Sequence, residues 1–223
     1  MNYFHPACWK QSSDGDPGRV FFFKAQVRTI VFIDGQNLYH LAKNAWGDKS
    51  IPHSPYKYPS YDVEKLANTL ITGDSRRVLT QTRFYTGVPD KEGSPKQVLW
   101  HEFWNNKLRY LKSRGIYVYR GRVNPGGQEK GVDVSIAVDL VELTYDQNYD
   151  VAIIVSQDWD FGPAIRLAKR IAKKQKRHLI FESAFPYQAG KVARRGIPGT
   201  KWIHIDKTTY DSCFDPTDYR SKL

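Results

Sequence analysis

Four consecutive apolar residues, Ile30 to Ile33, stop abruptly at Asp34-Gly35-Gln36-Asn37. An apolar run without alternation predicts a strand buried on both faces, and the acid, glycine and amides predict a turn at its carboxyl end. The same grammar returns at Val151 to Val155, which is followed by Ser156-Gln157-Asp158-Trp159-Asp160. Leu38, Leu41, Ala42 and Ala45 recur at helical spacing between Asn37 and Trp46, and Asp62 to Ile71 reads as a short amphipathic helix. Arg76 to Tyr85 reads as a second strand. Val98 to Ser113 reads as a longer helix with Leu99, Phe103, Trp104, Leu108 and Leu111 inward. Ile116 to Arg120 forms a third strand, and a helix opens around Gln128 to Asp133 with Val134, Ala137, Val138 and Val141 as its inward face. Pro163 near a helix start precedes Ile165, Leu167, Ala168, Ile171 and Ala172 on one face. Arg177 to Phe181 and Trp202 to Ile205 are two last strands, with a closing turn around Tyr210 to Phe214. Strands alternating with helices predict an α/β fold: three layers, α/β/α, around a mainly parallel sheet.

A chain of 223 residues suits one sizeable domain, here 28–206, with residues 1–27 as an extension of no assigned role and 207–223 as a tail packed on the domain. There are no internal repeats. No apolar run approaches the roughly 20 residues of a membrane helix. Asp14, Asp16 and Arg19 interrupt any secretory signal, which argues against export. Cys8 and Cys213 are the only cysteines, so neither a disulfide framework nor a thiolate zinc site is expected, and a reducing cytoplasmic setting follows.

Charge changes the picture. The net charge is +11, and nearly all of the excess lies between Arg166 and Lys201, where eleven Lys and Arg face one acid, Glu182. Arg166, Lys169, Arg170, Lys173 and Lys174 share the polar side of one helix, and Arg194 and Arg195 lie in the glycine-containing loop beyond it. A concentrated basic surface attracts phosphate polymers through counterion release. A solvated helix face would give the same pattern. The loop from Gly47 to Ser60 adds His53, Tyr56, Lys57 and Tyr58, with Tyr61 beside it. Aromatics among cations suit stacking on unpaired bases, and are equally ordinary in surface loops.

The carboxyl edge of an open α/β sheet is where ligands bind. The pattern brings Asp34 to one strand tip, Asp158 and Asp160 to another, and Asp133 to the first turn of a helix. Each has an ordinary reading. Asp34 suits a turn or a cap, Asn37 an N-cap, and Asp133 the positive end of a helix dipole. Asp139 points elsewhere on its helix, about 240° round from Asp133 at 100° per residue, and reads as structural, paired with a cation. Together the acids make an oxygen-only cluster whose repulsion calls for a hard cation, Mg²⁺ or Mn²⁺ and not zinc, and which suits phosphodiester hydrolysis. Neither G-x-x-x-x-G-K-[ST] nor G-x-G-x-x-G follows any strand.

Val31-Phe32-Ile33-Asp34-Gly35-Gln36-Asn37, Lys130-Gly131-Val132-Asp133-Val134 and Val155-Ser156-Gln157-Asp158-Trp159-Asp160-Phe161, in this order and spacing, resemble the three motifs of the NYN family of the PIN-like ribonuclease superfamily. Glu182 to Pro186, Arg194 to Ile203 and Asp215 to Arg220 resemble the tail of one bacterial subgroup. The resemblance implies a PIN-like fold and a metal-dependent endoribonuclease acting on RNA, most simply single-stranded. It assigns Asp34, Asp133 and Asp158 to the metal, with Asp160 as the motif's second acid, and gives Asn37 the orienting of substrate or water. Lys130, Arg166, Lys169, Lys173, Arg194 and Arg195 would hold the RNA backbone. Gln157 stands where many members carry glycine, and Trp159 where a small or polar residue is common; a bulky Trp there narrows the cleft or stacks on a base.

Two other classes compete. A nucleic-acid-binding module without catalysis would use the same basic face within a larger assembly, and a nucleotide-handling or phosphatase-like α/β protein has against it the lack of either glycine-loop motif after a strand. A homodimer or a regulatory protein partner is left open. The terminal Ser221-Lys222-Leu223 matches a peroxisomal address, but three residues coincide easily and the bacterial resemblance favours chance.

Overall fold

A computed structural model describes residues 25–47, 50, 56, 58–92, 94–124 and 126–220. The readings made for Val20 to Phe23, His53, Lys57 and the terminal Ser221-Lys222-Leu223 lie outside the described residues. In chain order the elements are β1 (Val27–Asp34), α1 (Gly35–Trp46), α2 (Val63–Ile71), β2 (Arg77–Val88), α3 (Pro95–Ser113), β3 (Tyr117–Val123) and β4 (Glu129–Lys130). They continue with α4 (Val132–Tyr145), β5 (Val151–Val155), a 3-10 turn (Trp159–Phe161), α5 (Gly162–Lys174), β6 (Ile180–Pro186), β7 (Lys201–Ile205) and α6 (Lys207–Ser212).

The strands form one sheet in the order β4-β3-β2-β1-β5-β6-β7, parallel throughout except for β4, which runs against β3. β1 lies between β2 and β5, and successive residues serve opposite cores. Val31 and Ile33 pack with α1, α2 and α3, while Ile30 and Phe32 pack with α4 and α5. That double burial is what the unbroken apolar run demanded, and it gives the expected three-layer α/β/α arrangement. Among the described residues no helix is long and apolar enough to cross a membrane.

Helix starts follow from short acidic side chains. Asp34, Asp62 and Asp206 accept backbone N–H groups from Asn37, Lys65 and Thr209, each three residues on. Pro95 opens α3, and Gln97 accepts the Ser94 N–H at 2.7 Å, half of a capping box. The chain after α6 packs back on the helical layer. The Cys213 carbonyl accepts the Asp62 N–H at 2.7 Å, and buried Lys107 reaches Asp215 at 3.3 Å. Burial holds the Lys107 ammonium below its usual pKa, with Asp215 opposing.

The structure corrects several expectations. Gly35 to Asn37 is already the first turn of α1 and not a separate turn before it, and the cap is Asp34, with Asn37 inside the helix. The inward face of α4 is Val132, Ile136, Leu140 and Leu143, whereas Val134 and Val138 are 66% and 56% exposed. α4 carries apolar residues on two stripes, so spacing alone does not say which one meets the sheet. Leu99, expected inward on α3, is 41% exposed. Tyr56 and Tyr61, weighed as base-stacking residues, are buried in the core beside Trp46 and Tyr210.

Candidate active site

The crossovers from β1 through β3 carry their helices on one face of the sheet, and those from β4 to β6 carry theirs on the other. The chain therefore changes direction at the β1/β5 pair, and a crevice opens at the carboxyl ends of these two strands. Asp34 ends β1 there and is 4% exposed. Its Oδ1 accepts the Asn37 N–H at 3.0 Å, and its Oδ2 accepts the Ser156 hydroxyl at 3.3 Å. Burial is the main force pushing its carboxyl up to about 7. The Asn37 N–H resists, the charges of Asp133 and Glu129 push further, and Ser156 resists again.

Ser156 joins the two strand ends. The oxygen that donates to Asp34 accepts the Asp158 N–H at 3.1 Å, and Asp158 Oδ1 accepts the Asp160 N–H at 2.9 Å to start the 3-10 turn. Asn37 makes a second tie, its Oδ1 accepting the Gln157 N–H at 3.0 Å. Asp133 enters from the other side, one residue into α4, after Gly131 turns the chain at φ +80°, a left-handed conformation that favours glycine. Burial raises the Asp133 pKa, and the neighbouring charges of Asp158 and Asp160 raise it further.

A further acid belongs to this group, and the sequence did not single it out. Glu129, half-buried on β4, accepts the Gly87 N–H, and its Oε1 takes the Thr86 hydroxyl at 3.3 Å. A Cβ on Gly87 would stand 2.6 Å from Glu129 Cγ, so glycine there is what lets the carboxylate approach β2. Burial raises the Glu129 pKa, its two donors resist, and the Asp133 charge adds to the rise. The signal for it was its place four residues before Asp133 in Glu129-Lys130-Gly131-Val132-Asp133, in a stretch with no readable period.

The acids of the site differ from four others in the fold. Asp139, Asp150, Glu182 and Asp215 each meet a cation: Arg83 at 2.8 Å, Arg28 at 2.9 Å, Arg77 at 2.6 Å and Lys107 at 3.3 Å. Among the described residues, Asp34, Glu129, Asp133, Asp158 and Asp160 form no ion pair. Neighbouring carboxylates instead help to raise the pKa of Asp34, Glu129 and Asp133. An all-oxygen, cation-free donor set of this kind fits a hard divalent ion. Among the described residues, however, no three His, Cys, Asp or Glu side chains stand together as a finished metal site.

The basic residues expected to hold a backbone are placed differently from one another. Lys130 is exposed on β4 and Arg166 near the start of α5, whereas Lys173 lies in the last turn of α5, toward the opposite edge of the sheet where Arg177 meets Tyr149 and Asp150, so the structure does not bring it to the acids. Lys169 is instead anchored, donating to the Gly199 carbonyl and lying 5.8 Å from the centre of the Phe181 ring. Arg194 and Arg195, with Gln157, Trp159 and Ala193, line an open cleft of about 470 Å³ beside Asp158 and Asp160.

The NYN domain family matches residues 28–190, a span that takes in all five acids. The uncharacterized protein MJ0482 of Methanocaldococcus jannaschii is 45% identical over 56 residues, a stretch that is 23% of this chain and 23% of that protein. A crystal structure of a protein of unknown function, VPA0982 from Vibrio parahaemolyticus, superposes with a TM-score of 0.54 over 84% of this chain and 98% of that one. At 17% identity that likeness speaks for the three-layer fold alone. With a PIN-like, nuclease-type α/β/α fold and a match across most of its length, this chain belongs to the NYN domain family.

Proposed function

We propose that this protein is a divalent-metal-dependent endoribonuclease whose centre is Asp34, Asp133 and Asp158, with Asp160 and Glu129 beside them. The observation that carries this reading is the segregation of the acids. Asp139, Glu182 and Asp215, buried or half-buried elsewhere, each have a cation, whereas these five lie at the ligand-binding edge of the sheet without an ion pair, and neighbouring carboxylates add to the raised pKa of Asp34, Glu129 and Asp133. Mg²⁺ or Mn²⁺ bound there would supply Lewis acidity to activate water and to stabilise charge on the scissile phosphate and leaving oxygen.

The chain's own residues do the rest. Asp34, Asp133 and Asp158 hold the ion. Ser156 and Asn37 keep the first and third of these acids in register by bonding across β1 and β5. Arg194 and Arg195 meet the RNA backbone beside the acids, and Arg166 near the start of α5 and Lys130 on β4 add to the basic surface. Lys169 acts indirectly, by fixing the loop that bears the arginines.

The test is cleavage of labelled single-stranded RNA in Mn²⁺, with and without EDTA, by the wild type and by Asp34→Asn. Cleavage that needs the metal and is lost in the variant is the expected result; cleavage indifferent to both would end the proposal. One observation favours a second reading, a nucleic-acid-binding module without turnover: no three acids stand as a finished metal site among the described residues. Salt-sensitive RNA binding with no cleavage in any divalent metal would select it.

A further inference from the structure

We propose that Trp159, with the arginine pair of the β6–β7 loop, forms a subsite that holds one unpaired nucleotide of an RNA strand next to the acidic centre. It rests on the endoribonuclease reading for its substrate, and deepens that reading by naming the strand state the cleft accepts.

Four observations carry it. Trp159 is 57% exposed although it sits in the 3-10 turn between Asp158 and Asp160, so its indole is presented to solvent and not used to fill the core. The turn leaves Phe161, which is 2% exposed, to do that packing. The indole lines an open cleft of about 470 Å³, a volume within the roughly 300–1,000 Å³ typical of small-ligand pockets. The same cleft is lined by Ala193, Arg194 and Arg195. Among the described residues neither guanidinium is in an ion pair, so both charges are available to a phosphate.

The wall is also held still. Gln157 Nε2 donates to the carbonyls of Ala193 and of Arg195, the latter at 2.8 Å, and the His204 ring bonds the Arg194 carbonyl at 2.9 Å. Three consecutive peptides are thereby fixed relative to Trp159. A flat aromatic surface sharing a cleft with two cations on a fixed backbone matches a base with its flanking phosphate. Stacking of this kind contributes about 1–3 kcal/mol per base and needs the base free of its partner. A base inside a duplex cannot lie on the indole, so the subsite selects unpaired RNA.

The whole chain is to be titrated in EDTA, to withhold the metal that cleavage would need, against a labelled single-stranded RNA hexamer, the same hexamer stripped of its bases, and an RNA duplex. Trp159→Ala is expected to weaken single-strand binding by about 5- to 150-fold, the equivalent of that stacking energy, with Trp159→Phe keeping most of it. The preference for the hexamer over its abasic counterpart should shrink by the same factor, and duplex binding should not change. Arg194→Ala should weaken all three and reduce the salt dependence by about one phosphate contact. Equal single-strand affinity of Trp159→Ala and wild type, or an equal loss on duplex, would overturn the subsite. Absence of cleavage in Mn²⁺ alongside Trp159-dependent binding would remove the nuclease reading and leave the subsite standing.

Discussion

Asn37 Oδ1 accepts the backbone N–H of Gln157 at 3.0 Å, so a side chain from the first turn of α1 holds the chain leaving β5. The two residues are 120 positions apart, and the bond sets the spacing of the strand ends that bear Asp34 and Asp158. Asn37→Ala removes the acceptor and leaves a half-buried N–H unpaired. The expected cost is about 1 kcal/mol or somewhat more, a melting point lower by roughly 2–6 °C for a domain of this size. RNA cleavage should fall more than stability accounts for, because the acids lose their common reference. Thermal melts and cleavage rates compared at a temperature where both proteins are folded check this.

In the metal-free protein, Asp34 should set a pH dependence. Its carboxyl holds a proton up to about 7 in the fold, against 3.8 ordinarily, chiefly because it is buried. Between about pH 4 and pH 7 the folded chain binds more protons than the unfolded one, so stability from this group falls as pH rises. Asp34→Asn removes the penalty while keeping a capable N-cap. Melts in EDTA should show the variant gaining on the wild type across that interval, on the order of 1.4 kcal/mol per pH unit crossed, and levelling above pH 7. A constant difference from pH 4.5 to pH 8 would contradict the assignment.

Glu129 offers a test by isosteric replacement. Glu129→Gln retains an acceptor for Gly87 and Thr86 but removes a charge felt by Asp34. Cleavage is expected to drop at least about tenfold, with the melting point unchanged or raised, since one member of a repelling group becomes neutral. A fully active Glu129→Gln would confine the residue to a structural role.

The two faces of α4 should respond unequally. Ile136 is fully buried, so Ile136→Ala is expected to cost about 2–5 kcal/mol. Val138→Ala, on the exposed stripe, should stay within about 0.5 kcal/mol. Urea denaturation of both variants reads this directly.

Removing Gln157 should free the arginine loop without unfolding the protein. Gln157→Ala loses the donors to Ala193 and Arg195, so limited trypsin digestion is expected to cut after Arg194 and Arg195 faster than in the wild type. Unchanged digestion would show that the loop is held by other means.

Where burial left no choice, the sequence was transparent. Ile30 to Ile33 and Val151 to Val155 read as inner strands because only a residue covered on both sides is apolar at every position. Asp34, Asp133 and Asp158 stood out through their places at strand and helix ends and through the NYN motifs. α4 was misread because Val134 and Val138 keep the same spacing as Ile136 and Leu140, and only the sheet decides between them. Tyr61 was opaque for the opposite reason: a loop tyrosine looks like a surface residue until α2, α6 and the chain after α6 close over it. Glu129 lies in a two-residue strand, too short to carry a period, and its role arises from a neighbour on β2.

The arginine loop is grasped through its peptide oxygens, by Gln157 at Ala193 and Arg195 and by His204 at Arg194, and not through its side chains. A clasp of that kind is blind to what projects from the three positions. Arg194 and Arg195 can be exchanged for glutamine, tyrosine or lysine without unseating the segment, so the molecule offers a ready-made port where target preference can be rewritten while the scaffold and its acids stay as they are.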